Sequence, residues 1–231
     1  MRTTDRLSLL TDLYREHAGD LAAVIAQQRA FLATHPDVVP QLDDVEAELT
    51  YLLLRHHRPA QVTEVGTFHG WSTTWMLSAL RDNGYGELHS FDKVDRARGS
   101  VPAALARDRW VFHPGDLRDT VGAVPAGTGY LFVDADHGRS FARWYLDELF
   151  PRVAAGTPAS VHDVFHLRWA RPWTEGSQVL RRLREQDVTW FTAARTAGRE
   201  NLRALDAVRA ELGITGARGT TRNPMIFFDL P

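Results

Sequence analysis

The strongest constraint on the fold is an alternation of short apolar runs with amphipathic helical segments, which begins after Pro59. The apolar runs are rich in β-branched and aromatic residues, as strands are. They span Val62–Val65, Leu88–Phe91, Trp110–Phe112, Tyr130–Val133 and Ala159–Val164. Helical spacing marks the segments Ser72–Asn83, Val101–Arg107, Ser140–Val153 and Glu175–Glu185. Such alternation is typical of βαβ units, so we expect an α/β fold: a doubly wound, Rossmann-like, mostly parallel sheet in three αβα layers.

Helical spacing also marks the first quarter of the chain. Residues 21–32 and 41–57 carry apolar side chains at helical positions, and Asp20 stands where it could cap the first of these helices. No linker rich in proline, glycine or serine separates this part from the α/β pattern. We therefore interpret residues 1–58 as a helical extension and residues 59–231 as one compact domain.

Two apolar runs near the C-terminus predict a pair of strands at one edge of the sheet. They are Val188–Phe191 and Met225–Phe228, and the helical stretch Arg199–Leu212 would connect them.

Composition narrows the classes of function. The 231 residues are 44% hydrophobic and 24% charged, with a net charge of −2, so no global charge draws the protein to nucleic acid or to an anionic membrane. There are no cysteines, which excludes disulfides and thiolate metal sites. No apolar run is long enough to cross a membrane. We expect a cytoplasmic protein with a small-molecule substrate and no nucleic-acid or membrane partner; a homodimer is one option.

A glycine turn follows the first predicted strand. Gly66 and Gly70 stand between Glu64 and a helix that opens at Ser72. A helix N-terminus at such a turn binds anions, but the spacing is not G-x-G-x-x-G and the lysine of a P-loop is missing. The carboxylate of Glu64 would repel a pyrophosphate and suit an ammonium group. The turn therefore predicts a ligand with an amino-acid part, such as S-adenosylmethionine.

Acidic residues also end the next two strands. Asp92 closes the second strand, at the position that binds ribose hydroxyls in Rossmann-like folds, and Asp116 follows the third. Ligands of such sheets bind beyond the carboxyl ends of the strands, where these side chains should meet.

These motifs resemble the class I S-adenosylmethionine-dependent methyltransferases over residues 61–164, with a weaker similarity at 223–229. E-V-G-T-F-H-G-W-S is similar to the first motif of that superfamily, Phe91-Asp92 to the second, and Gly115-Asp116-Leu117 to the adenine-side motif. The resemblance implies that Glu64, Gly66 and Ser72 hold the methionine part, Asp92 the ribose and Asp116 the adenine amino group. It also implies cofactor-binding roles for Thr67, Gly70, Leu117 and Asp134.

Acids and histidines end the fourth and fifth strands. The motifs F-V-D-A-D-H and V-H-D-V resemble small-molecule O-methyltransferases of the caffeoyl-coenzyme A and catechol type, and related natural-product enzymes. In their metal-dependent members, acids after both strands bind a divalent ion, and the matching positions are Asp134 and the pair His162-Asp163. This sequence departs from the pattern of those enzymes at two positions. His162 stands in place of an oxygen ligand, and His137 stands in place of a lysine. Oxygen ligands suit Mg²⁺ or Ca²⁺, whereas mixed imidazole and carboxylate ligands suit Fe, Mn, Co or Zn better. His166 is a fourth candidate ligand, and the identity of the divalent ion stays open among Mg, Mn, Fe and Zn.

The same histidines are candidates for metal-free chemistry. Histidine titrates near neutral pH and suits deprotonation of a hydroxyl, so His137 is the first candidate for a general base and His162 the second. The alternative is that these histidines are hydrogen-bonded residues of the core. The aromatic segment after the fifth strand, residues 165–174, could wall an acceptor pocket or act as a lid.

The expected function is therefore methyl transfer from S-adenosylmethionine to a hydroxyl of a small molecule, with or without a metal ion. Three alternatives stay open: methylation at carbon or nitrogen, an oxidoreductase that uses NAD on the same fold, and a binding protein that has lost the chemistry.

Overall fold

The computed structural model describes residues 3–165 and 173–231. Seven strands form one sheet. They are β1 Gln61–Val65, β2 Glu87–Asp92, β3 Trp110–Pro114, β4 Thr128–Val133, β5 Pro158–Val161, β6 Trp190–Phe191 and β7 Ile226–Asp229. The helices within the described residues are α1 Thr3–Glu16, α2 Ala18–Thr34, α3 Asp44–His57, α4 Trp71–Asn83, α5 Ala97–Ser100, α6 Ala103–Ala106, α7 Leu117–Thr120, α8 Arg139–Trp144, α9 Glu175–Glu185 and α10 Arg199–Glu211.

The strand order is β3-β2-β1-β4-β5-β7-β6. The first five strands are parallel, and β7 pairs antiparallel with both β5 and β6. The doubly wound, mostly parallel sheet predicted from the sequence is thus confirmed, and so are the antiparallel edge pair and the helix α10 between its strands. The order reverses between β1 and β4, and that is where such sheets open a crevice for ligands.

Two predicted helices differ in detail from the structure. The helix expected over residues 101–107 is replaced by the short helices α5 and α6 with Pro102 between them. Val101 is extended, at φ −65° and ψ 125°, because the residue before a proline avoids the helical region. The helix expected over 140–153 ends as α8 at Trp144 and continues as a wide turn and then a tight turn around Pro151.

The N-terminal helices pack on the sheet side that carries α4. Residues of α1, α2 and α3 share one hydrophobic cluster with α4 and with Val62, Leu88 and Tyr130 of the sheet. The boundary drawn at residue 58 remains a prediction. Helix α2 begins at Ala18, so Asp20 lies in its first turn and does not cap it. Helix α3 begins three residues later than predicted.

A buried ion pair joins the N-terminal helices to α10. Arg209 of α10 contacts Glu48 of α3 through two nitrogens, at 2.8 and 3.0 Å, and Tyr14 of α1 donates to the same carboxylate at 2.7 Å. Glu48 is fully buried. Such a pair stabilises only as a unit, because loss of one partner leaves a buried charge without compensation.

A second cluster lies on the opposite face of the sheet, where α8 and α9 cover it. The three layers predicted from the sequence are therefore present. Within residues 3–165 and 173–231, no helix combines the length and apolar character that a membrane span requires.

Candidate active site

A cavity of ≈ 390 Å³ opens beyond the carboxyl ends of β1, β2, β3 and β4. Its size lies in the range of small-molecule sites. Four carboxylates line it: Asp92, Asp116 and Asp134 at the ends of β2, β3 and β4, and Asp136 two residues after Asp134. Its apolar lining is formed by Val65, Phe68, Phe91, Val94, Leu117 and Phe141. A cavity therefore lies at the crevice edge of the sheet, where the sequence predicted a binding site.

Gly66 allows the glycine turn to lie against the end of β4. Its φ is +88°, and a Cβ added there would lie 1.8 Å from the carbonyl oxygen of Asp134. The backbone continues the sheet on both sides: Gly66 N donates to Phe91 O at 2.8 Å, and Asp134 N donates to Val65 O at 2.8 Å. Only glycine fits this approach, and it makes Gly66 part of the cavity wall.

Glu64 does not reach the cavity, which corrects the prediction that it holds an ammonium group. Its carboxylate is fully buried and accepts hydrogen bonds from the hydroxyls of Ser72 at 2.6 Å, Thr73 at 2.9 Å and Ser90 at 2.5 Å. Burial raises the pKa of Glu64 to about 7, although these hydroxyls oppose the shift. Glu64 thus ties the start of α4 to β1 and β2.

A smaller depression beside the cavity lies at the N-terminus of α4. Thr67 and Ser72 line it, together with Gly66, Phe68 and Asp134. The unpaired N–H groups of a helix start suit a carboxylate. Gly70 lies outside both linings: a Cβ added there would meet the Cγ2 atom of Val101 at 2.6 Å. The predicted cofactor contact of Gly70 is therefore corrected to a packing role.

Asp92 holds the glycine turn in place. One carboxylate oxygen accepts from Thr67 N at 2.7 Å, Thr67 Oγ1 at 3.0 Å and Phe68 N at 2.8 Å, and the other accepts from Val94 N at 3.0 Å. The residue also lines the cavity, so it can face a ligand while it fixes the turn.

Asp116 is paired with the only lysine of the chain. Lys93 Nζ lies 2.8 Å from Asp116 Oδ2, and Arg118 N donates to Asp116 Oδ1 at 2.9 Å. The hydrogen bond from Lys93, followed by that from Arg118 N, lowers the pKa of Asp116. Both Lys93 and Asp116 line the cavity, and Leu117 and Phe141 lie beside them.

The ring of His162 lies between two carboxylates from distant parts of the chain. Its Nδ1 is 3.1 Å from Asp134 Oδ1, and its Nε2 is 3.3 Å from Glu46 Oε2. His162 and Glu46 are both almost fully buried. Burial alone would lower the pKa of His162, but the charges of Asp134 and Glu46 raise it well above the usual value. His162 does not line the cavity, which corrects its predicted role as an alternative general base.

His137 lines the cavity and is held from behind by Glu175. Its Nδ1 lies 3.0 Å from Glu175 Oε2, and its Nε2 lies 3.4 Å from Asp163 Oδ2. Glu175 N donates to the His137 carbonyl at 3.1 Å, so the two residues are joined twice. Burial alone would lower the pKa of His137, but the hydrogen bond and charge of Glu175, with Asp134 and Asp163, raise it to about 9. The free protein holds His137 protonated at neutral pH.

The predicted metal ligands do not form a metal site. Asp134, His162 and Asp163 are neighbours, whereas His166 lies outside the described residues. Over residues 3–165 and 173–231, no group of three or more His, Asp or Glu side chains is arranged to hold an ion. Each ring nitrogen of His137 and His162 instead faces a different carboxylate within 3.4 Å. The donor set does not fit a resident metal.

Several residues of the site were not predicted from the sequence. Gln41 and Lys93 line the cavity, and Glu46 and Glu175 hold the two histidines. Lys93 could have been found, because it is the only lysine and directly follows Asp92. The aromatic segment after β5 lies mostly outside the described residues, and its predicted role as a wall or lid stays a prediction. Trp173, at its described end, is 63% exposed.

Comparison with known proteins shows what the chain is similar to. Residues 63–164 match the family model of a methyltransferase domain. The chain is similar in structure to an O-methyltransferase from Bacillus cereus in complex with S-adenosylhomocysteine, with 15% identity and a TM-score of 0.60, over 90% of this chain and 91% of the other. It is also similar to the O-methyltransferase TomG from Streptomyces achromogenes, involved in tomaymycin synthesis and bound to S-adenosylmethionine, with 18% identity and a TM-score of 0.59, over 90% and 88%.

A third similar structure is the Podospora anserina methyltransferase PaMTH1 bound to S-adenosylhomocysteine, at 16% identity and a TM-score of 0.54, over 89% of this chain and 86% of that one. No curated protein sequence matches the chain. The matched domain contains the glycine turn, Asp92, Asp116 and the acid–histidine cluster. Residues 63–164 are thus similar to a methyltransferase domain, and the chain shares the fold of these three methyltransferases.

Proposed function

We propose that the protein transfers the methyl group of S-adenosylmethionine to a hydroxyl of a small molecule. The observation that carries the proposal is the cavity over four strand ends, lined by Asp92, Asp116 and Asp134 in a matched methyltransferase domain. The structural neighbours named as O-methyltransferases support oxygen as the acceptor atom. Carbon or nitrogen acceptors are the alternative.

The cavity offers a partner for each part of the methyl donor. Asp92 suits the ribose hydroxyls, as carboxylates at this position do in related sheets. The apolar side chains of Leu117 and Phe141, beside Asp116, suit a purine ring. The depression at the start of α4, with Ser72 and Gly66, suits the carboxylate of the methionine part, and Asp134 suits its ammonium group.

The donor supplies an electrophilic methyl group on a positively charged sulfur. The protein's main contribution is to hold the acceptor oxygen in line with the bond that breaks, and such orientation can lower a barrier by about 7–11 kcal/mol. His137 lines the same cavity, and its side chain is 45% exposed. When its ring is neutral, Nε2 can accept the proton of the acceptor hydroxyl while Glu175 holds Nδ1. Such general-base help is worth about 10²–10⁴-fold in rate.

Calorimetric titration with S-adenosylhomocysteine tests the proposal first. The wild type should bind, and Asp92→Ala should weaken binding because both the cavity wall and the glycine turn lose their carboxylate. Asp12→Ala is the matched control, since Asp12 is an exposed acid on α1 with 70% of its side chain accessible. Absence of binding at millimolar ligand, or binding of NAD instead, would refute the proposal. A screen of phenols, sugars and amino-acid derivatives with a labelled methyl donor then identifies the acceptor.

A cytoplasmic location and a role in natural-product biosynthesis are further proposals. The first is supported by the absence of a membrane-spanning helix among the described residues, and the second by the similarity to TomG. Assembly as a homodimer stays a prediction from the sequence.

A further inference from the structure

The ring of His162 is buried between carboxylates that belong to different elements. Asp134 follows β4, Glu46 lies in the first turn of α3, and Asp163 is the next residue along the chain. The Nδ1 atom lies 3.1 Å from Asp134 Oδ1 and 3.5 Å from Asp163 Oδ1, while Nε2 lies 3.3 Å from Glu46 Oε2. His162 is only 4% exposed.

Three negative groups around one buried ring determine its charge. A carboxylate can only accept hydrogen bonds, so a ring nitrogen that faces one has to carry a proton. Both nitrogens of His162 lie at ion-pair distance from carboxylates, at 3.1 and 3.3 Å, and this arrangement favours the doubly protonated, positively charged form. Without that charge, the buried carboxylate of Glu46 would have no counter-ion, and Asp134 would keep only the more distant His137, whose Nε2 lies 3.7 Å from Asp134 Oδ1.

This positive charge lies between the two side chains that match the acids of a metal site. In the metal-dependent enzymes that the motifs resemble, acids after the fourth and fifth strands hold a divalent ion. Here Asp134 and Asp163 occupy such positions, and the Nδ1 atom of His162 lies within 3.5 Å of both.

We propose that the imidazolium ring of His162 takes the place of a divalent cation in this protein. It is a built-in counter-ion that fixes Asp134 and Asp163 at the edge of the cavity, so that the protein binds no metal there. The proposal rests on the proposed function, because it takes the cavity as the methyl-donor site. Its test measures metal binding and does not require methyl transfer.

Glu46 is the second anchor of this charge, and it comes from the helical extension. Its Oε1 atom accepts from Met225 N at 2.6 Å, and its Oε2 atom accepts from Asp43 N at 3.0 Å as well as facing His162. Glu46 is thereby fixed by the start of α3 and by the residue that leads into β7. The extension supplies a carboxylate that the counter-ion needs on its far side.

Titration of the full-length protein with Mn²⁺ tests the proposal, in parallel with S-adenosylhomocysteine. We expect the wild type to show no saturable Mn²⁺ site at millimolar concentrations, and its affinity for S-adenosylhomocysteine to be unchanged by a chelator. A single Mn²⁺ site in the wild type that disappears in Asp163→Asn would overturn the proposal. Failure of S-adenosylhomocysteine to bind would count against the proposed function and leave the Mn²⁺ result to be judged by itself.

A double variant tests the same position by gain of binding. Glu46→Gln with His162→Asp removes the positive ring and its outer carboxylate, and it places a third acid beside Asp134 and Asp163. We expect it to acquire a saturable Mn²⁺ site and a melting temperature that rises when Mn²⁺ is added. Glu46→Gln alone is the control and should gain neither. A folded double variant that binds no Mn²⁺ would show that this is not the position of a cation; if it does not fold, the wild-type titration still decides.

Discussion

Replacement of Gly66 by alanine tests whether the close contact between the glycine turn and the end of β4 builds the cavity. The Cβ of Gly66→Ala would lie 1.8 Å from a backbone oxygen of Asp134. Backbone cannot rotate away as a flexible side chain can, so the turn and the strand end have to separate. Such overpacking typically costs about 1–3 kcal/mol. The positive φ of +88° adds about 1–2 kcal/mol for a residue with a Cβ.

The expected destabilisation of Gly66→Ala is therefore about 2–5 kcal/mol, from the sum of these two costs. Gly84→Ala is the matched control, because Gly84 has φ +79° but nothing within 4 Å of an added Cβ. It should lose only the conformational part, about 1–2 kcal/mol. The difference between the two variants isolates the contact with Asp134.

Urea denaturation followed by circular dichroism gives the free energy of unfolding of both variants. Calorimetry with S-adenosylhomocysteine gives the effect on the cavity, and Gly66→Ala should bind far more weakly than Gly84→Ala. Equal losses of stability in the two variants, with unchanged ligand affinity, would refute the view that this contact shapes the site.

Three further predictions concern charges. Because the folded-state pKa of Glu64 is about 7, above the 4.5 of an unperturbed glutamate, the wild type should lose about 3 kcal/mol of stability as pH rises from 4.5 to 7. Glu64→Gln should lack that loss, and equal slopes of unfolding free energy against pH would contradict it. His137 should titrate near pH 9 by NMR, and the rate of methyl transfer should rise up to that pH. Glu175→Gln should lower the midpoint of the NMR titration and the midpoint of the pH–rate profile. Unchanged midpoints would show that the hydrogen bond to Glu175 does not raise the pKa of His137. Arg209→Met should cost about 3–5 kcal/mol, because the buried carboxylate of Glu48 keeps its hydrogen bond from Tyr14 but loses its counter-ion. The exposed Arg15→Met is its control in urea denaturation, and equal losses would refute the pairing.

The sequence predicted those parts of the site that lie at strand ends. Alternating apolar runs define where each strand stops, and in a parallel sheet the carboxyl ends share one edge. Asp92, Asp116 and Asp134 follow such ends, so their meeting at the cavity could be expected from local pattern alone.

Glu64 shows where that reasoning fails. In the register of the sheet Glu64 pairs with Ser90, and Val65 pairs with Phe91, one position below Asp92. The carboxylate of Glu64 therefore lies two positions behind the edge of the sheet, where hydroxyls of α4 cover it. The register of β1 and β2 would have distinguished the two acids: Asp92 lies at the edge of the sheet, and Glu64 lies two positions behind it.

The partners of the histidines could not be predicted in this way. Glu46 and His162 are far apart in the chain, and they meet only because the first turn of α3 lies beside the residue that follows β5. Glu175 reaches His137 because α9 begins beside the end of β4, where Gly138 and Thr174 form an isolated bridge. Such pairs depend on where each helix packs. The apolar periodicity of a sequence predicts a helix but not its position relative to the strands.

The pairing of Lys93 with Asp116 has a practical consequence. Since no other lysine exists in the chain, an amine-reactive fluorophore would attach beside Asp116 at the cavity and, apart from the α-amino group, nowhere else. The side chain is 59% exposed, so the reagent can reach it. Entry of a nucleoside could then be followed as a change in emission, or as protection from labelling, without any mutation of the protein.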